Sequence, residues 1–156
     1  MPMPELMQSG ALPPGLHATP LAEIIERYGA GSEARERQAR LLQLIVEAAL
    51  YYPTIKRILV WGSFVTSKAE PGDLDYSIVV GGGYDLERIL EPHRRFFVPV
   101  EARQFYGADK TYLTIRDYPL EKYIELVDFL SMIRDRPAER CGIIKISLRG
   151  EIGEQQ

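Results

Sequence analysis

The sequence predicts an α/β (α+β) domain: a mixed sheet of about four or five strands with helices packed on it. Three observations predict it. Apolar residues recur at helical spacing in the first third of the chain. Two short β-favouring runs, Ile58–Trp61 and Tyr76–Val80, follow, separated by turn residues. A further helical stripe and a final alternating strand close the chain. The order reads helix, helix, strand, helix, strand, helix, strand, helix, strand, the mixture that layers helices on a sheet.

The 156 residues suit one domain with a sizeable core. A 46% hydrophobic and 26% charged composition is ordinary for a globular chain. The net charge of −3 argues against broad capture of nucleic acid. A single cysteine, Cys141, excludes an intramolecular disulfide and a cysteine-based zinc site, and fits a reducing cytoplasm. No apolar run approaches 18 residues, so no membrane span is expected. No secretory signal pattern is seen at the N-terminus.

Residues 1–18 carry Pro2, Pro4, Pro13, Pro14 and Gly15 and read as an extended arm. Residues 19–149 are expected to form the domain and 150–156 a polar tail. Thr19-Pro20 reads as a cap and first helical position, with Leu21, Ile24, Ile25 and Tyr28 as an apolar face and Gly29 as the stop. Ser32 caps a second helix running to about Tyr52. Its EARERQAR half reads as a solvated face rather than a patch of Arg35, Arg37 and Arg40 for a partner. Leu41, Leu44, Ile45, Ala48 and Ala49 form its core face.

Ile58–Trp61 is the first strand. Gly62-Ser63 stops it, and Phe64–Glu70 has the length for about two helical turns. Pro71-Gly72 turns the chain into Asp73-Leu74-Asp75 and the second strand. Side chains alternate along a strand, so Asp73 and Asp75 share a side. Two adjacent carboxylates repel unless a cation lies between them, and oxygen-only donors suit Mg²⁺ or Mn²⁺. Ser63 stands where a helix N-terminus would hold phosphate, with Thr66, Ser67 and Lys68 near it.

After the glycines at 81–83, Tyr84 to about Phe96 is expected to be helical, kinked at Pro92. Phe96–Tyr106, FFVPVEARQFY, reads as the third strand, with Glu101 its only acid. Glu101 either joins the aspartates, at a metal or as general base, or faces solvent beside Arg103. Asp109 is the second choice for a third carboxylate. Thr111–Ile115 reads as a further strand or a loop. A helix then opens near Pro119 with Leu120, Tyr123, Ile124, Val127 and Leu130 as its core stripe. Arg134–Arg140 reads as a charged turn. Gly142–Leu148 reads as a strand with Ile144, Ile146 and Leu148 on one face.

Gly62-Ser63, nine residues, then Asp73-Leu74-Asp75 resembles the signature of the DNA polymerase β-type nucleotidyltransferase superfamily, most closely its minimal prokaryotic members. The segments LPPGLH, GSFVTSK, PGDLD and GIIKISL resemble a small bacterial and phage family within it. The resemblance implies Mg²⁺-dependent transfer of a nucleoside monophosphate from ATP or another nucleoside triphosphate to a hydroxyl acceptor. Gly62 and Ser63 would then hold the triphosphate, with Lys68 reaching phosphate. Asp73 and Asp75 would bind metal, and Glu101 would supply the third carboxylate. It also implies a protein acceptor, as for an antitoxin that modifies a toxin partner. A module that keeps the fold and neutralises by contact is the alternative, and small-molecule modification is disfavoured by the lack of a substrate domain.

Overall fold

The computed structural model describes residues 3–106, 112–133 and 136–148. Five strands form the main sheet, in the order β1 (Gly15–Ala18), β7 (Gly142–Ser147), β2 (Ile55–Trp61), β3 (Asp75–Val80) and β4 (Tyr112–Arg116). The two edge strands pair parallel with their neighbours, and the central β2 pairs antiparallel with β7 and β3 on either side. A two-stranded ribbon of β5 (Met132–Ile133) and β6 (Arg136–Arg140) stands beside it. The α/β class with a mixed sheet is therefore the observed one.

The central strands are covered on both faces, which is why they read as continuous apolar runs. On one face Ile58, Val60, Ile78, Val80, Ile144 and Ile146 pack under α1 (Leu21–Tyr28) and α2 (Glu33–Ala49). On the other, Leu59, Trp61, Val79, Ile115 and Ile143 meet Leu130, with Tyr123, Leu126 and Val127 of α5 (Leu120–Leu130) at the margin. Each fully buried aliphatic side chain contributes about 1.5–3 kcal/mol relative to exposure. Ile144 and Ile146 share a face, with Leu148 packed against the same cluster, as the alternation of the last strand implies.

Several elements differ from the sequence reading. Helix α1 begins one residue late: Pro20 is the extended cap residue, and the Thr19 hydroxyl donates instead to the His17 carbonyl at 3.0 Å. Helix α2 starts as expected, with Ser32 Oγ accepting from the Arg35 N–H at 3.2 Å, but ends at Ala49. Its buried face runs through Leu42 and Val46 while Leu44 is exposed. Phe96–Tyr106 is not a strand. It is divided between α3 (Arg94–Phe97) and α4 (Pro99–Tyr106), whose backbone bonds run Val98 N–H to Arg94 O and Ala102 N–H to Val98 O. Before it, Tyr84–His93 forms two isolated 3₁₀ turns rather than a kinked helix. The strand beside β3 is β4, reached by a parallel crossover, which needs a long intervening connection. Arg134–Arg140 holds strand β6 rather than only a turn, residues 134–135 themselves lying outside the described residues.

The N-terminal segment is stitched to the body along its length. The Met3 N–H donates to Glu23, Arg27 donates to the Pro4 carbonyl, and β1 extends the sheet beyond β7. Leu12 is fully buried, and its carbonyl accepts from the Gly142 N–H at 2.9 Å. A Cβ on Gly142 would lie 2.3 Å from the Pro13 carbonyl oxygen and 2.7 Å from Leu12 Cβ. The Pro13 backbone on one side and the packed Leu12 and His17 side chains on the other leave it no room. Gly142→Ala is expected to lower unfolding stability by about 1–3 kcal/mol and to quicken proteolytic cleavage before Gly15. Urea denaturation and limited proteolysis with wild-type values for both would contradict this account of the seam.

Candidate functional site

Strand β2 ends at Trp61, which stands in register with Asp75, the first residue of β3. The next residue, Gly62, has φ +79°, a conformation that side chains resist. A Cβ there would lie 2.2 Å from Asp75 Oδ2. The missing side chain therefore lets the Asp75 carboxylate rest directly on the turn backbone. Asp73 lies two residues earlier. Leu74 between them is fully buried while both aspartates keep partial exposure.

The turn itself is shorter than the sequence implied. Ser63–Val65 makes one 3₁₀ turn, and no α-helix follows it. The reason is a buried cation. Arg35 Nη1 donates to the carbonyls of Tyr28 and Phe64 at 3.2 and 2.8 Å, and Nη2 donates to those of Thr66, at 2.6 Å, and Lys68. Carbonyls 64, 66 and 68 converge on one point, the two-residue spacing of extended chain. A helix would aim them all along its axis. One turn further along α2, Gln38 Nε2 donates to the Pro71 carbonyl at 2.8 Å. The connection between the Gly-Ser turn and the aspartates is thus held from α2 at both ends.

Arg35 retains only 7% of its exposure. Burial pulls its pKa below the ordinary value while the neighbouring Tyr28 acts the other way, and the guanidinium stays charged. The rings of Tyr28 and Phe64 lie 6.0 and 5.9 Å from its central carbon, within cation–π range. The sequence reading had assigned Arg35 to a solvated face, and this is corrected. A signal was present: positions 35, 38, 39, 42, 45, 46 and 49 are all buried and continue one helical stripe.

The other candidate residues separate clearly. Ser63 is partly exposed, and its hydroxyl has no hydrogen-bond partner among the described residues. Thr66 is committed to the turn, donating to the Ser63 carbonyl at 2.7 Å and accepting from the Lys68 N–H. The Lys68 side chain is exposed. Glu101 lies on α4, not on a strand, and accepts from Arg94 Nε at 2.6 Å. It does not join Asp73 and Asp75: no cluster of three metal-ligating side chains occurs among the described residues. Strand β4, which flanks β3, carries no acid from Tyr112 to Arg116. Asp109 lies outside the described residues.

Fold and site together define an α/β protein in which a Gly-Ser turn abuts Asp75 at the start of β3, with Asp73 in the loop before the strand rather than on it. The chain belongs to the family of unknown function DUF6932, whose model matches residues 4–147. No curated protein matches it. A solved structure from Sulfolobus solfataricus, described as a proposed nucleotidyltransferase, is similar at 23% identity. The match covers 60% of this chain and 82% of that one with a TM-score of 0.35, a level that assigns no function.

Arg35→Met should leave four inward-facing carbonyls short of a donor and lower stability by about 3 kcal/mol or more. Arg35→Lys should recover little, because one ammonium cannot span the fork. Wild-type stability of the lysine variant in urea denaturation would contradict the clamp.

Proposed function

We propose that this chain transfers a nucleoside monophosphate from a nucleoside triphosphate to a hydroxyl on a protein acceptor. The observation that carries the reading is the seat of Asp75 on Gly62, one residue from the unpartnered Ser63 hydroxyl. Negative charge for a cation and a donor for phosphate stand side by side there, the pairing phosphoryl transfer requires. Asp73 and Asp75 are hard oxygen donors and fit Mg²⁺ or Mn²⁺. They would hold it, and the bound ion would supply charge neutralisation on the triphosphate. Ser63 Oγ–H donates to a phosphate oxygen, and Lys68 swings from solvent to pair with the outer phosphates. Arg35 and Gln38 touch no substrate. They fix the path of residues 64–71 so that Ser63 and Asp75 keep their spacing. No helix among the described residues is long and apolar enough to cross a membrane, and the reducing cytoplasm is the proposed compartment.

A second reading is a module that works by contact, with the nucleotide site vestigial. Two observations favour it. No third carboxylate reaches Asp73 and Asp75 among the described residues. Helix α5 also leaves Leu120, Ile124 and Phe129 more than half exposed, where the sequence reading had put a core stripe through Leu120 and Ile124. Leu120 and Ile124, four residues apart, share one side of the helix, and that exposed apolar strip suits a protein partner such as a toxin.

Calorimetry separates the two. Transferase chemistry predicts ATP binding that requires Mg²⁺ and weakens about a hundredfold, about 2.7 kcal/mol, in Asp73→Ala/Asp75→Ala. Absence of binding for all four nucleoside triphosphates would discard the transferase and leave the contact module.

A further inference from the structure

On the side of Gly62 away from Asp75, toward β7, the structure has a cavity of about 240 Å³ that is open to solvent. One wall is the N-terminal segment. Residues 7–11 form a tight turn, with the Met7 N–H donating to the Ala11 carbonyl and the Gly10 N–H to the Met7 carbonyl, each at 2.8 Å. That turn is clipped to the loop after the Gly-Ser motif, because the Ser67 N–H donates to the Gly10 carbonyl at 2.9 Å. Gly10 has φ +89°, and a Cβ there would strike Ser67 Oγ, so the clip requires glycine. Ser9 and Ala11 of this segment line the cavity together with Met132 and Ile133 of β5 and with Gly62 and Thr66, while the neighbouring Leu12 is buried.

The lining contains no charged side chain among the described residues. This lining suits an uncharged group better than a polyphosphate or a polyamine, whose charges it does not pair. Sites that enclose a whole drug-sized ligand run about 300–1,000 Å³, so this one takes a single ring system. The β5–β6 pairing brings the sulfur-bearing residues Met132 and Cys141 close together in the lining, and sulfur contact favours an aromatic ring. Ser9 adds a hydroxyl at the rim. It accepts only a long contact, 3.5 Å, from the Ala11 N–H and keeps its own proton to donate.

We propose that this cavity is a nucleobase site, seating an uncharged purine or pyrimidine ring between Ser9 and Ala11 of the N-terminal segment and β5, with Gly62 joining it to the site of Asp75. The inference deepens the nucleotide reading and rests on it. It makes the N-terminal segment part of the binding site rather than a tether.

Cys141 lines the same cavity and is the chain's single cysteine, so its alkylation reports occupancy directly. Burial holds its thiol above the ordinary pKa, and the thiol donates to the Ser131 carbonyl at 3.3 Å. The reaction is therefore slow and best followed at raised pH. The experiment measures the rate of Cys141 carbamidomethylation by iodoacetamide in the full chain, with adenosine or with ribose. Adenosine at ten times its half-protecting concentration should slow the reaction about tenfold by mass action, and ribose should leave it unchanged. Ala11→Phe and Ile133→Trp fill the cavity from opposite walls and should each abolish protection, with folding checked by circular dichroism. Asp73→Ala/Asp75→Ala should keep protection, because adenosine carries no phosphate. The inference is overturned if adenosine gives no protection up to its solubility limit, if ribose protects equally, or if a folded filling variant is still protected. Protection by adenosine without Mg²⁺-dependent ATP binding would instead remove the transferase chemistry and keep the base site.

Discussion

The buried guanidinium of Arg35 is the constraint on which the rest of the site depends. Its two terminal nitrogens carry four N–H donors, and four main-chain carbonyls take them. The match matters because an uncompensated buried charge costs several kcal/mol. Here the carbonyl dipoles and two ring faces compensate it without a carboxylate. The acceptors come from two places, the last residue of α1 and the loop after Gly62. One side chain therefore fixes the α1–α2 junction to the turn that meets Asp75. Gln38 extends the grip to Pro71, where the chain approaches β3. A loop with so many inward carbonyls would otherwise have to turn outward for water.

Much of this frame was legible in the sequence where hydrophobic period and capping agree. The Ser32 cap, the buried runs of β2 and β3 and the alternation of β7 all follow from local chemistry. Phe96–Tyr106 did not, because propensity and position disagree there. Three phenylalanines and two valines favour a strand, but Pro99 can open a helix, and Ala102 then closes onto Val98. Strand propensity mostly records fit to a half-buried pleat and yields to context. The segment is the crossover between parallel β3 and β4, a place where helix is the common solution. Taking it for a strand put Glu101 beside the aspartates, when its helix holds it against Arg94.

Helix α5 marks a different limit. Its apolar residues were recognised, and the face was taken for core. Period shows which side chains share a face and says nothing of what covers it. Tyr123, Val127 and Leu130 pack at the sheet, while Leu120, Ile124 and Phe129 extend the apolar arc beyond the sheet's reach. Arg35 is the converse case: a charge within a charged run, drawn inside because the stripe of α2 continues through it. In both, the deciding fact is the neighbour across the gap.

The Gly62 turn divides its surroundings electrically. On the β3 side stands a carboxylate, and on the β7 side a cavity without a charged side chain among the described residues. On the proposed reading this partition orients a nucleotide, because its anionic end and its neutral ring have different partners. The pair of aspartates then bears on affinity. A hard divalent ion keeps close to six ligands, and two side chains leave most of them to water and substrate. The ion and the triphosphate must therefore assemble together, each completing the other's site. On that reading the phosphates of a nucleotide without the ion meet the repulsion of Asp75, against which Ser63 and Lys68 act. The neutral cavity would hold the ring with or without the ion, so base recognition and metal-dependent phosphate binding are separable properties of neighbouring groups on one turn.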